Sequence, residues 1–421
     1  MKKIILITIL VCACLNTNIF AAGTKEAGMS EGKTTIKMWT WRPEDIDFYN
    51  SVIADFEAEN PTIQVEQNAM KNTEYNTVLA ASLAGGSGPD IFMGRAYGGL
   101  LTYVESGYLE PITNMFPEVA NYPSAALGGA SDGDGNIWGL PAVGQTLCVY
   151  YNKAMFKEYG LEVPQTWNEF LNVCKTLKAN GEIPIANGTK DGWCVETLLG
   201  VVAPAFYGPD YFDEVIAGDA NFEDPRFINA LNHMKQLTPY LPNLYTGIGY
   251  TDMQSYFINE MAGMFLGGSY EKGNFVAQNP DLDYGVFAIP GDKASDPKLV
   301  TVYADMNWAV NAAGENKEAT AKFVQFLGSK HVGQKVIDEL QMVSWVPGTN
   351  ADSNPFIGEI LELQKESTPY IFLVGFRYQQ PTGSSLWQAA GQAFMSGDYT
   401  AMEAAMTVQK GIATYYKPFQ K

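Results

Sequence analysis

The chain has 421 residues, of which 46% are hydrophobic, 13% aromatic and 17% charged. At roughly 100–200 residues per domain this is two or three folded domains, and the aromatic content rules out a disordered chain. A balance of 27 Lys plus Arg against 46 Asp plus Glu gives a net charge of −19, which repels phosphate backbones and anionic headgroups and makes nucleic acid an unfit partner.

Met1-Lys2-Lys3 precedes an apolar run, Ile4 to Cys14, that is too short for a bilayer and right for a signal-peptide core. Two exits are readable: a lipobox-like Val11-Cys12-Ala13-Cys14, with Cys14 acylated, or cleavage after Ala22. Either places the mature chain outside the cytoplasmic membrane. Residues 23–34 are polar and read as a tether. No later stretch reaches the ~18 apolar residues of a membrane helix, so a channel or permease is not expected.

Short β-branched runs then alternate with helical patterns, which predicts an α/β protein. Thr35 to Trp39 reads as a strand, Tyr49 to Glu59 as a helix and Ile63 to Glu66 as a second strand. A helix over Tyr75 to Leu83 leads into a buried strand, Asp90 to Met93. This β-α-β-α-β order opens a doubly wound sheet, whose ligands bind beyond the carboxyl ends of the strands. Val149 to Tyr151 is the next strand. Thr166 and Glu169 form a capping box on a helix whose apolar face includes Cys174. Ala262 to Leu266, Tyr284 to Phe287 and Leu299 to Val302 read as strands, and the chain from Lys317 on as mostly helical. Cys148, Cys174 and Cys194 permit one disulfide at most.

Three catalytic or metal motifs fail on context. Gly129-Ala130-Ser131-Asp132-Gly133 has the letters of a nucleophile elbow, but the Asp-Gly-Asp-Gly-Asn that follows cannot start a helix. Asp132, Asp134 and Asn136 open like a calcium loop, yet Ile137 and Val143 stand where Gly and Glu are required, so a hairpin tip is expected. His233 and His331 are too few for a histidine zinc site or triad. No cofactor or metal is implied.

Several segments together carry a resemblance. Ser87-Gly88-Pro89-Asp90-Ile91 is a Gly-rich turn before a Pro-Asp strand. Asp134 to Pro141 forms a hairpin, followed by Tyr150-Tyr151-Asn152-Lys153. The most specific segment is Phe156 to Phe170, with Gly160, Pro164 and Trp167 at fixed spacing. Met261 to Phe265 with Gly267-Gly268, and Ala319 to Leu327, complete the series. In this order the chain resembles the extracellular solute-binding proteins of family 1, the maltose-binding-like type that serves ABC importers.

That resemblance implies a two-lobed periplasmic-binding-protein-like fold (type II), two doubly wound α/β lobes joined by crossing hinge segments. The crossings fall near Val143–Cys148, Leu299–Ala304 and Val343–Pro347. Residues 35–145 plus 305–345 would form one lobe, and 146–304 plus 346–421 the other. It further implies a carbohydrate, mono- or oligosaccharide, as ligand, permease subunits as membrane partners, a monomer and no catalysis.

A sugar offers apolar faces ringed by hydroxyls, which aromatic planes and bidentate polar groups match. The 8 Trp, 23 Tyr and 22 Phe exceed what two cores require. Trp41 and Arg42 end the first strand, and Asp90 and Arg95 flank the third. Asp90 has a competing role, accepting backbone hydrogen bonds in its turn. Gln145 follows Pro141 where relatives place an acid or amide on the ligand. Asp191 and Trp193 occupy a polar loop where relatives have an acid and an aromatic. Tyr270 stands where the family often has Trp. Asp305 and Asn307 follow the second crossing, and Arg377 and Trp387 lie in the last helical segment. For Trp308 and Trp345 a core role is favoured. Two other readings compete. Arg42, Arg95 and Arg377 could pair with an anionic sugar or glycerophosphodiester, and a secreted glycoside hydrolase would need two paired carboxylates.

Overall fold

The computed structural model describes residues 33–377 and 379–420. The expected signal segment and all but the end of the expected tether lie outside these residues. Among the described residues eleven strands form one connected sheet: β1 (Thr34–Thr40), β2 (Ile63–Ala69), β3 (Ile91–Arg95), β4 (Leu109–Glu110), β5 (Leu140–Asn152), β6 (Ile183–Ile185), β7 (Ala262–Gly268), β8 (Tyr284–Phe287), β9 (Val300–Asn311), β10 (Val343–Ser344) and β11 (Ser367–Pro369). Their main order is β2-β1-β3-β9-β5-β7-β6.

The first lobe follows the doubly wound start. β1 alternates buried Ile36, Met38 and Thr40 with exposed Lys37, and pairs in parallel with β2 and β3. The helix Ile46–Glu59 buries Phe48, Tyr49, Val52, Ile53 and Phe56, the one-sided spacing of a 3.6-residue period. Phe56 meets Phe323 of the helix Lys317–Leu327 at 4.8 Å between ring centroids. A second core gathers Leu147, Val149, Trp167, Phe170, Leu198, Phe227 and Trp387.

What joins the two is longer than the short runs predict. β5 spans 13 residues and β9 spans 12, paired antiparallel from Leu140–Trp308 to Leu147–Thr301. Leu140 and Val143 belong to the first core, Leu147 and Val149 to the second, so one strand passes between lobes. β10 pairs with β5 at Gly144 and Val143, and the chain then enters the helix Pro355–Leu363 on the second lobe's side. Register slips on either side of Val143 mark where β5 bends.

Two local expectations change. Thr166 caps its helix by accepting from the Glu169 N–H, but the Glu169 carboxylate accepts from Gln165 N–H rather than Thr166, so no capping box closes. Thr400 and Glu403 close a complete one. Cys148, Cys174 and Cys194 are buried and unbridged, and burial pushes all three thiols up, which makes them inert.

The hairpin tip rests on Asp132. Its carboxylate accepts from the N–H groups of Asp134 and Asn136, from the Asn136 amide and from Trp138 Nε1 at 2.7 Å. Partial burial disfavours its charge, but these hydrogen bonds prevail and hold the carboxyl down at about 2. A depressed carboxyl stabilises the fold above its unfolded value and loses that contribution as pH falls. The wild type is therefore expected to lose stability relative to Asp132→Asn between pH 4 and 2. Denaturant midpoints across that range check it, and a gap that does not narrow on acidification contradicts it.

Candidate ligand-binding site

The carboxyl ends of β1 and β3 and the middle of β9 meet the second lobe along one cleft. Arg95, the last residue of β3, lays its guanidinium 3.8 Å over the Trp41 ring and donates to the Asn72 amide oxygen. Burial pushes the Arg95 pKa down to about 10; Asp305 opposes that shift and Arg377 adds to it. Trp41 is buried, its edge against Tyr75, so Arg95 covers the face a sugar would stack on. Arg42 is also buried. It is held by Asp45 at 2.5 Å and Glu44 at 3.3 Å, and these acids more than offset the cost of burying its charge.

Across the cleft stands a row of tyrosines. Tyr270 packs against both cores, and Tyr303 and Tyr370 lie 5.4 Å apart between ring centroids. Thr197 lies beside Tyr270 on this wall and donates its hydroxyl to the Trp193 carbonyl at 3.1 Å. Trp193 sets its edge on Tyr250 at 4.5 Å. The Tyr250 hydroxyl reaches both oxygens of Glu271 at 3.0 Å, and Gln254 donates to the same carboxylate at 2.8 Å. Glu271 starts the helix Glu271–Gln278, and burial pushes its carboxyl up to about 7 against the pull of Gln254, Tyr250 and Arg42.

A second buried acid completes the far side. Glu196 accepts from Ser384 Oγ at 2.7 Å and Gln388 Nε2 at 2.8 Å, and burial raises its carboxyl despite Arg377 nearby. Arg377 is near enough to act on the charges of both Glu196 and Arg95. An added Cβ at Gly99 would stand at an ordinary 3.9 Å from the Arg377 guanidinium carbon but only 2.6 Å from Arg95 Cβ, so it is Arg95 that requires the glycine.

Of the residues expected from sequence, the cleft therefore brings together Trp41, Arg42, Arg95, Trp193, Tyr270, Asp305 and Arg377. Others serve its frame. Gln145, fully buried on β5, donates to Asp305 at 3.3 Å and accepts from Ser269 at 2.7 Å, so it ties the crossing strands together. Asn307 donates to the Gly129 carbonyl and packs on Gly139. Asp191 accepts from Tyr250 N–H at 2.8 Å, at the first residue of the helix Tyr250–Ile258, and fixes where that helix begins.

Two expectations are corrected. Asp90 sits at the amino end of β3, the opposite end from Arg95, and its carboxylate accepts from Lys37 N–H at 2.9 Å. It closes the turn, as its competing role required. Trp387 is fully buried in the second core, stacked on Phe372 at 5.9 Å and edged by Phe227.

Glu196, Thr197, Tyr250, Glu271, Tyr303 and Tyr370 are not singled out by sequence. Tyr303 has a signal, because it precedes Asp305 by two and so shares its strand face. Glu271 directly follows Tyr270. Glu196 and Tyr250 acquire their partners only through folding.

A two-lobed α/β frame with a polar, aromatic cleft at its hinge defines a binding protein of the periplasmic type. Residues 42–334 match the bacterial extracellular solute-binding protein family, and the chain belongs to it. It is 26% identical over 369 residues to the Multiple sugar-binding protein of Streptococcus mutans serotype c, covering 83% of this chain and 84% of that one. To the Mannitol-binding protein of Pseudomonas aeruginosa it is 24% identical over 340 residues, covering 77% and 76%. Its fold is similar to that of a chitin oligosaccharide binding protein, with a TM-score of 0.78 and 22% identity over 91% of this chain and 99% of that one. It is also similar to RafE in complex with raffinose, with a TM-score of 0.72 and 22% identity over 92% and 100%. Among the described residues no helix is long and apolar enough to cross a membrane.

Two outcomes follow from this geometry. The raised Glu271 carboxyl keeps its proton in the folded protein above the ordinary value of 4.5, so its stabilisation is full below pH 4.5 and lost as pH rises through 7. At about 1.4 kcal/mol for each pH unit between those two values, the loss is on the order of 3 kcal/mol, and Glu271→Gln should flatten it. Denaturant unfolding from pH 4 to 8 checks this, and equal slopes for both proteins contradict it. Gly99 lies in the helix Gly98–Glu105, where alanine would ordinarily stabilise by about 1 kcal/mol. Crowding against Arg95 should reverse the sign, so Gly99→Ala is expected to cost about 1–3 kcal/mol. Gly128→Ala, with nothing within 4 Å, serves as the control in the same melts.

Proposed function

We propose that this protein is the extracytoplasmic receptor of an ABC importer, which captures a neutral carbohydrate between its lobes and delivers it to permease subunits in the membrane. One observation carries the reading: the cleft is walled by aromatic rings, with Trp193 on Tyr250 and Tyr303 beside Tyr370, among polar side chains held in place by their neighbours. Arg42 is already paired with Asp45 and Glu44 and so is committed within the wall. Tyrosine and tryptophan rings suit the apolar faces of a sugar, and fixed polar groups present oxygens and N–H groups to its vicinal hydroxyls. Relatives named for multiple sugars and mannitol, and similar folds named for chitin oligosaccharide and raffinose, support the same class.

The chain works without catalysis in this reading. Glu196 and Glu271 are each bound by two side chains, which leaves neither poised as the acid or nucleophile of a glycosidase. Residues 35–145 plus 305–345 and residues 146–304 plus 346–421 act as the two lobes, hinged where β5, β9 and β10 cross. Closure about that hinge would seal the sugar and present a surface for the permease. The protein acts as a monomer, freely soluble after cleavage at Ala22 or lipid-anchored through Cys14.

Thermal unfolding against neutral saccharides, polyols, uronates and glycerophosphodiesters tests the reading. A ligand at a hundred times its dissociation constant adds about 2.7 kcal/mol, a shift of several degrees. A shift with a neutral saccharide recovered intact is expected. Tyr270→Ala should abolish it and Tyr399→Ala, on the exposed surface, should not. A shift confined to anionic ligands, or none at all, overturns the assignment.

A further inference from the structure

Resting on the carbohydrate reading, we propose that Gln145 is a positioning residue. It aims the Asp305 carboxylate at a sugar hydroxyl, in an orientation that Ser269 imposes from the second lobe.

Asp305 stands out of the ladder that carries it. The pairing of β5 with β9 steps from Val143–Met306 to Gly144–Ala304, so Asp305 has no partner on β5. A bulge of this kind re-aims a side chain, which is why bulges gather beside binding and active sites. The Asp305 carbonyl accepts from Ala96 N–H at 3.1 Å, which holds the backbone on the β3 side. Its side chain is half-buried, and its charge acts on Arg95, Tyr270 and Tyr303 around it. Among the described residues one carboxylate oxygen, Oδ2, accepts a hydrogen bond, from Gln145, while Oδ1 accepts none. The side chain is thus steered at one oxygen and open at the other.

The direction of the steering bond is set two residues away. Thr146 N–H donates to Ser269 Oγ at 3.1 Å, and the Ser269 hydroxyl donates in turn to Gln145 Oε1 at 2.7 Å. An amide whose oxygen is engaged on one side turns its Nε2 to the other, where Asp305 lies at 3.3 Å and Met342 Sδ at 4.0 Å. The reverse orientation would set two oxygens against each other at Asp305 and leave the Ser269 proton without its acceptor. Ser269 and Gln145 are 1% and 0% exposed, so water does not compete for either. A backbone bond from Ser269 N–H to the Thr146 carbonyl at 2.8 Å locks the two strands that carry the relay. Asp305 therefore meets a donor from below and remains an acceptor above, which selects a ligand hydroxyl that gives its proton.

Calorimetric titration of the mature protein with glucose, galactose, maltose, raffinose and chitobiose supplies a bound probe. That probe is then titrated into Gln145→Glu, Gln145→Leu and Ser269→Ala, each shown by its melt to be folded, with affinities compared to wild type at the same pH. In Gln145→Glu the introduced carboxyl, when protonated, donates to Asp305 and accepts from Ser269 as the amide does; when ionised, it repels Asp305. Its affinity should be near that of wild type at about pH 5 and roughly tenfold weaker at about pH 8, the scale of a lost hydrogen bond to a charged group. Gln145→Leu should lose about tenfold at both. Ser269→Ala should weaken binding alone and add nothing in the Gln145→Leu background, since both changes break one relay. A residue that only held the strands together would lower the melts without this recovery on acidification. Affinity unchanged in all three variants, or a Gln145→Glu deficit that acid does not relieve, overturns the positioning role. A wild type that binds none of the five saccharides overturns the carbohydrate reading instead, a result distinct from binding that is indifferent to Gln145.

Discussion

The antiparallel pairing of β5 with β9 is the constraint on which the rest depends. Each strand passes from one core to the other, so neither lobe can complete its sheet without residues that the other lobe also uses. Gln145 shows how tightly this is arranged. Fully buried at the crossing, it accepts from Ser269 after β7 and donates to Asp305 on β9, and its polar groups are satisfied by both sides of the hinge. A crossing built this way permits rotation but not separation. It also delivers Asp305 and Tyr303 to the cleft on a rigid strand, the placement that precise recognition requires.

The cleft's electrostatics follow from its burial. An isolated charge this deep is costly, so Arg42 is paired with Asp45 and Glu44. Where matching is incomplete the proton moves: Glu271 and Glu196 are raised by burial, and Arg95 is lowered. The result is a surface rich in hydrogen-bonding capacity yet close to neutral. Such a surface suits hydroxyls better than ions, and it sets this pocket apart from the strongly acidic chain that carries it.

Much of this is legible in the sequence, for identifiable reasons. Strand ends are readable because β-runs stop at turn residues, and that alone brings Trp41, Arg42 and Arg95 to the right edge. The length of β5 is not readable. Leu140 to Asn152 contains Pro141 and Gly144, which local propensity counts against a strand, and only pairing with β9, β7 and β10 overrides them. Asp90 and Trp387 are misplaced because position along the chain does not say which end of a strand or which face of a helix turns to the cleft. Glu196 lies in a helix, Gly192–Val202, so apolar that its one acid finds Ser384 and Gln388 only through the fold.

The most direct test of the account is the crystal structure of the protein with a bound saccharide. The sugar should lie between the lobes in contact with Tyr270 and Asp305, with Arg95 still over Trp41 and Arg42 still on Asp45. A sugar held on one lobe's outer surface, or Arg42 drawn away from its acid to meet the ligand, would contradict it.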